Sequence, residues 1–154
     1  MEKKNPANKE IKNQNYTESQ HTVYCISQRY GSLPYSEIVD NVKGALKKRE
    51  FDILLELNLK DYLKGHLKDM PSHVILSVCN PETASLAISK DPQTGIFLPC
   101  SVTVKEVAQG MVEVSIEDTS ITWSPSKELT QIAKKTTETL QAILSEIEQP
   151  RMKL

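Results

Sequence analysis

Cys100-Ser101-Val102-Thr103-Val104-Lys105-Glu106-Val107-Ala108-Gln109-Gly110-Met111-Val112-Glu113-Val114-Ser115-Ile116-Glu117 is the stretch that decides how this chain folds. Cys100, Val102 and Val104, with Leu98 before them, alternate with Ser101, Thr103 and Lys105, and Val112, Val114 and Ile116 alternate with Glu113, Ser115 and Glu117. A period of two puts each set on its own face of a strand, and the Ala108-Gln109-Gly110 turn joins the two runs as an antiparallel hairpin with one apolar and one wet face. A parallel doubly wound sheet buries both faces of its strands. The hairpin therefore argues for a mixed or antiparallel sheet with helices mainly on one side.

The sequence upstream alternates strand and helix patterns. Thr22-Val23-Tyr24-Cys25-Ile26 reads as a first strand, apolar on both faces and so internal to the sheet. After Pro34, the residues Tyr35, Ile38, Val39, Val42 and Leu46 recur at helical spacing up to Lys47-Lys48-Arg49, a basic run that suits a helix C-terminus better than a phosphate patch. Phe51, Ile53, Leu55 and Leu57 against Asp52, Leu54 and Glu56 mark a second strand. Asn58, with Asp61 three residues on, caps a helix carrying Leu59, Tyr62, Leu63 and Leu67. His73 to Cys79 is a third strand, and Asn80-Pro81-Glu82 is a strong helix start: Asn caps, Pro takes the first helical position, and Glu meets the positive dipole end. Asp91-Pro92-Gln93-Thr94-Gly95 is turn chemistry. Beyond the hairpin, Ser124-Pro125 opens a last helix whose stripe is Leu129, Ile132, Ala133, Thr136, Leu140, Ile143, Leu144 and Ile147. That stripe covers the sheet or a partner.

The expected architecture is thus a two-layer α+β domain with a four- to five-stranded mixed or antiparallel sheet, helices mainly on one face, and the order β-α-β-α-β-α-β-β-α. The 154 residues make one domain, able to bury roughly 70% of the surface the unfolded chain exposes. Residues 1–20 are polar apart from Ile11 and the initiator Met1 and read as an unstructured tail or a docking arm, 21–149 as the domain, and 150–154 as a C-terminal tail. With 19 basic against 20 acidic residues there is no global field to draw nucleic acid or anionic lipid. No stretch has the apolar length of a signal or a membrane span, and three cysteines without a C-x-x-C suit a reducing compartment, so the expected location is the cytoplasm.

Chemistry is sought first at Cys79 and Cys100. Cys79 ends a strand one residue before a capped helix, where unpaired amide hydrogens and the dipole favour a thiolate, although by less than one pKa unit at ~0.3 to 1 kcal/mol. Cys100 begins the hairpin. If its strand pairs near the third, the two sulfurs share a site suited to Cu(I), Zn(II) or a dithiol/disulfide cycle; the competing reading is inert packing. Asn80 and Glu56 are the expected cleft-lining groups beside them. Cys25 reads as packing, Trp123 as a core lid, and His21, His66 and His73 have no metal-ligand spacing. The absence of G-x-S-x-G, Walker A and G-x-G-x-x-G patterns leaves acyl-transfer, P-loop and Rossmann chemistry without local warrant, so the chain reads as a non-enzyme. Two functions stay open. One is a thiol module acting through Cys79 and Cys100; the other is a small-molecule-binding or homodimeric assembly domain with structural cysteines, the last helix supplying the dimer face.

Ile75-Leu76-Ser77-Val78-Cys79-Asn80-Pro81, then Asp91-Pro92, Gly95 and Leu98-Pro99-Cys100-Ser101-Val102, closely resemble, in order and spacing, the bacterial and archaeal family called domain of unknown function 302. Leu54-Leu55-Glu56-Leu57-Asn58 looks like that family's acidic strand-end segment and Leu129 to Leu144 like its closing helix; the resemblance covers roughly Tyr30 to Ile147. Ser77, Asn58 and Ser101 depart from the glycine, aspartate and asparagine usual there, whereas both cysteines match. The resemblance implies a compact, self-associating α+β domain and raises the weight of a shared thiol site. It names no substrate.

Overall fold

The computed structural model describes residues 22–148, so the expected tails at 1–20 and 150–154, and His21, lie outside the described residues. The described chain runs β1 (Cys25–Tyr30), α1 (Tyr35–Lys48), β2 (Asp52–Asn58), α2 (Leu59–Tyr62), β3 (His73–Cys79), α3 (Pro81–Lys90), a 3-10 turn (Pro92–Phe97), β4 (Cys100–Ala108), β5 (Met111–Glu117), α4 (Thr119–Thr122), a second 3-10 turn (Lys127–Leu129) and α5 (Thr130–Leu144). The strands form one sheet in the order β1-β5-β4-β3-β2, and every neighbouring pair is antiparallel. This is the expected α+β class, with the mixed alternative excluded.

The hairpin sits at the centre of the sheet. Val102, Val104, Val112, Val114 and Ile116 are buried, and so are Val74, Leu76 and Val78 of β3. They meet Ile38, Val42 and Leu46 of α1 and Ile132, Leu140 and Ile143 of α5 in one core, with α1 lying against β2, β4 and β5 and α5 against β1 and β5. Thr136, inside the α5 stripe, satisfies its hydroxyl on the Ile132 carbonyl at 2.8 Å. The whole stripe is buried within the chain, which leaves no apolar face of this helix for a second copy.

Three expectations need correcting. β1 is an edge strand, not an internal one: Ile26 and Tyr30 face the helices, but their alternates Cys25, Ser27 and Arg29 are small or charged. β2 is the other edge, and a bulge between Ile53 and Leu55 breaks its alternation. Ile53 and Glu56 therefore share the helix side while Leu55 and Leu57 take the other, which a strict period of two cannot show. The third concerns helix extents. α2 closes at Tyr62, which is largely exposed, and α5 begins at Thr130 after a 3-10 turn, not at Ser124-Pro125.

The local signals at Asn80 hold in detail. Its side chain accepts the Thr83 N–H at 3.1 Å, with Pro81 at the first helical position. Asn80→Ala should lower stability by about 1 kcal/mol, and Leu140→Ala, at a fully buried position, by about 2 to 5 kcal/mol. Urea titrations of the two variants check this; equal losses would contradict the division between cap and core.

Candidate functional site

With both long helices on one side, the opposite face of the sheet carries the other half of each strand's alternation. Register arranges those residues in ranks that run straight across the strands. Arg29 pairs with Glu113, Glu113 with Lys105 and Lys105 with His73, which makes a charged rank over β1, β5, β4 and β3. Ser27, Ser115, Thr103, Ile75 and Leu57 form the next rank. Cys25 opposite Glu117, and Ser101 opposite Ser77 and then Leu55, form a third.

The charged rank holds a buried ion cluster. Glu113 is 0% exposed although, among the described residues, the long helices α1 and α5 pack on the other side of the sheet. Its Oε2 accepts from Arg29 Nε at 3.0 Å, and its Oε1 lies 3.2 Å from Lys105 Nζ. Both cations are themselves mostly buried, their side chains 17% and 15% exposed. Beside them, burial first and Lys105 second push His73 down to about 4, so its imidazole is neutral at neutral pH. Ser27 and Ser115 share a hydrogen bond of 2.7 Å. Glu117 accepts from the Ser101 N–H at 3.2 Å and from the Thr122 hydroxyl at 2.7 Å. Cys25 Sγ lies 2.8 Å from Thr22 Oγ1.

His73, Ser101, Lys105, Glu113, Ser115 and Glu117 line a cleft of about 580 Å³, within the usual range for small-molecule sites. Its brim is apolar: Tyr24 on one side, Ile96, Phe97 and Pro99 on the other. Phe97 is held by a stacked contact with buried Trp123, ring centroids 6.4 Å apart. A larger hollow of about 970 Å³ lies between the start of α1 and the chain beyond α5, but it is bordered by Glu37, Asp40, Lys48 and Glu148, long side chains at home in water. Among these hollows, the sheet-face cleft combines apolar walls with converging polar groups.

The residues singled out from sequence lie elsewhere. Val78 pairs with Cys100, and both are buried on the helix side. Cys79, one residue on, shares the open side with Ser77 and pairs with Asp52 of β2. The two thiols thus occupy one end of neighbouring strands but opposite faces. Burial and then Asp52 push the Cys79 thiol up, and burial, then Glu117 and Cys79, push Cys100 up. Desolvation outweighs the helix start, whose dipole is worth well under a pKa unit. Glu56 stands on the helix side of the edge, 2.6 Å from Lys43 Nζ, away from the open-face cleft. Asn80 borders a separate hollow of about 270 Å³ next to Glu50 and Phe51. Among the described residues no group of three or more His, Cys, Asp or Glu side chains is placed to hold a metal.

Sequence reading passed over Glu113, Lys105, Ser115 and Thr103 because polar alternates in a hairpin look like a solvated face. The missing signal was position. In the central strands these alternates lie away from both sheet edges, Glu113 and Ser115 buried and Thr103 and Lys105 half-buried.

The family described as domain of unknown function DUF302 matches residues 26–147. The chain is also similar to the crystal structure of uncharacterized conserved protein DUF302 from Bacillus stearothermophilus, with a TM-score of 0.74 and 22% identity over 82% of this chain and 100% of that one. At that identity the likeness is one of fold. No curated protein matches the chain. No helix among the described residues is long and apolar enough to cross a membrane.

The charged rank has a pH consequence. His73 moves from 6.5, its ordinary value, to about 4 in the fold, so between those limits the unfolded chain binds a proton that the native chain does not. Stability therefore rises with pH across that window and is lost as pH falls through it. His73→Gln, which cannot titrate, should flatten the slope between pH 6.5 and 4 in urea titrations; parallel slopes for both proteins would refute the assignment.

Proposed function

We propose that this chain, which belongs to the family described as domain of unknown function DUF302, is a non-catalytic binding domain that receives a small molecule on the sheet face opposite its long helices α1 and α5. The observation that carries this is Glu113, fully buried and paired with Arg29 and Lys105 on the sheet face opposite α1 and α5. A buried ion cluster costs desolvation that apolar residues of the same volume would not, so it is weak support for stability alone. Placed in the floor of a walled cleft, it supports recognition.

Binding fits the site better than catalysis. Both carboxylates are committed to protein donors, Glu113 to its two cations and Glu117 to Ser101 and Thr122, and the Ser27 and Ser115 hydroxyls hold each other. Among the described residues of the cleft no hydrogen bond joins a general base to a nucleophile. A fragment library screened by nitrogen-15 NMR should give amide shifts that cluster on Ser27, Thr103 and Ser115. The shifts should disappear in Thr103→Trp, which fills the floor, while far-UV circular dichroism stays unchanged. Shifts scattered over the surface, or gathered at the hollow near Asp40, would overturn the reading.

A second reading keeps the thiols. Cys79 follows Val78, the residue that pairs with Cys100, and it adds to the upward push on Cys100. With no third ligand group among the described residues, the pair suits Cu(I) better than Zn(II), which takes four ligands in structural sites. Metal analysis with native mass spectrometry of reduced protein checks it: one ion per chain, absent from a Cys79→Ser, Cys100→Ser variant, supports a thiol module. A metal-free chain after Cu(I) loading removes it.

A further inference from the structure

We propose that the cleft on the sheet face opposite α1 and α5 is covered in the free protein by the chain's own N-terminal segment, Tyr16-Thr17-Glu18-Ser19-Gln20-His21, with the Tyr16 ring seated against Ile96, Phe97 and Pro99. This rests on the reading of the cleft as a small-molecule site. It goes further by naming a competitor for that site within the chain itself.

Three observations converge. The first is where the chain enters the described part of the structure. Residues 1–21 precede Thr22, and Thr22, Tyr24 and Cys25 all line the cleft. This entry is pinned: Thr22 Oγ1 lies 2.8 Å from Cys25 Sγ, and the Asp118 N–H donates to the Tyr24 carbonyl at 2.9 Å. Whatever precedes Thr22 therefore leaves from the cleft wall. The second is length. The lining strands follow one another as β1, β5, β4 and β3, so three spacings of about 4.8 Å carry a chain from one side to the other. Six extended residues span up to about 20 Å. The segment just before Thr22 is long enough to cross from β1 to the brim beyond β4.

The third is chemistry. Tyr24 is 60% and Ile96 is 83% exposed, so the described residues leave the apolar brim largely uncovered. The Ser101 and Thr103 hydroxyls line the cleft without a hydrogen-bond partner among the described residues. Tyr16 is the one Phe, Tyr or Trp within residues 1–21, and Thr17, Ser19 and Gln20 behind it carry donors and acceptors for those hydroxyls. Covering the brim gains hydrophobic free energy, and Phe97 offers a ring already anchored on Trp123. Tethering makes even a weak contact sufficient. An arm this short is presented at an effective concentration on the order of millimolar, so an intrinsic affinity of that order keeps the cleft covered about half the time. A competing ligand then binds about twofold more weakly, because only the uncovered fraction receives it.

The whole 154-residue chain and its Tyr16→Ser variant test the inference by NMR. In the parent, nuclear Overhauser contacts should join the Tyr16 ring to Ile96 and Phe97. In the variant the amides of Phe97, Ser101 and Thr103 should shift, whereas Ile11→Ser, outside the crossing segment, should leave them in place. A fragment that occupies the cleft should bind the Tyr16→Ser chain at least about twofold more tightly than the parent. Absent contacts, with the same amide positions and the same fragment affinity in both chains, would overturn the arm while the small-molecule site stood. Contacts and amide shifts as expected, with no fragment binding to either chain, would keep the arm and remove the small-molecule reading. Contacts found only between differently labelled chains, together with a dimer mass, would give the cleft to the arm of a second copy and overturn the proposal.

Discussion

The pairing of β4 with β5 is the constraint on which the rest of this structure depends. Ala108 faces Met111 across a turn of two residues, and Gly110 takes a φ of 75°, in the left-handed region that glycine enters without strain. A bulge between Glu106 and Ala108 then shifts the register by one residue and sets Val104 against Val114 and Lys105 against Glu113. Without that shift Glu113 and Ser115 would turn into the aliphatic core and Val112, Val114 and Ile116 out of it, so the hydrophobic pattern decides the register beyond the turn. β1 and β3 add to the outer sides of this hairpin, and α1 and α5 close over the apolar side.

Once that register is set, the composition of the second face follows. The sheet face opposite α1 and α5 is neither uniformly apolar nor simply wet. Its centre holds a buried acid paired with two basic side chains, and its flanks hold hydroxyls and a rim of aromatic and aliphatic groups. The arrangement makes a small low-dielectric floor within an open surface. In such a place hydrogen bonds and charges act more strongly than in water, and an unmatched charge is correspondingly unwelcome.

The cysteines illustrate how a local signal can be accurate and still incomplete. Cys79 does stand between a strand and a capped helix, and Cys100 does begin a neighbouring strand. Strand alternation nonetheless sends consecutive positions to opposite faces, and the antiparallel pairing of Val78 with Cys100 decides which thiol goes under the helices. Burial then raises both thiols, whereas a helix start lowers a thiol by a smaller amount. Cys25, which resembles core packing when read along the chain, lies in the cleft because β1 is an edge strand whose open-side residues are small and polar.

What the sequence by itself determined is what short-range physics controls. The period of two in β3, β4 and β5, the Asn80-Pro81 helix start and the helical stripe from Leu129 to Ile147 are all found where the residues place them, because alternation, capping and amphipathicity act within a few positions. Tertiary structure alone decided the strand order, the bulge that turned Glu56 toward Lys43, and the rank in which Arg29, Glu113, Lys105 and His73 meet. Arg29 and Glu113 are 84 positions apart in the chain. Their meeting depends on which strand pairs with which and in what register, a choice made by the burial of the whole apolar face at once, so no local window of sequence contains it.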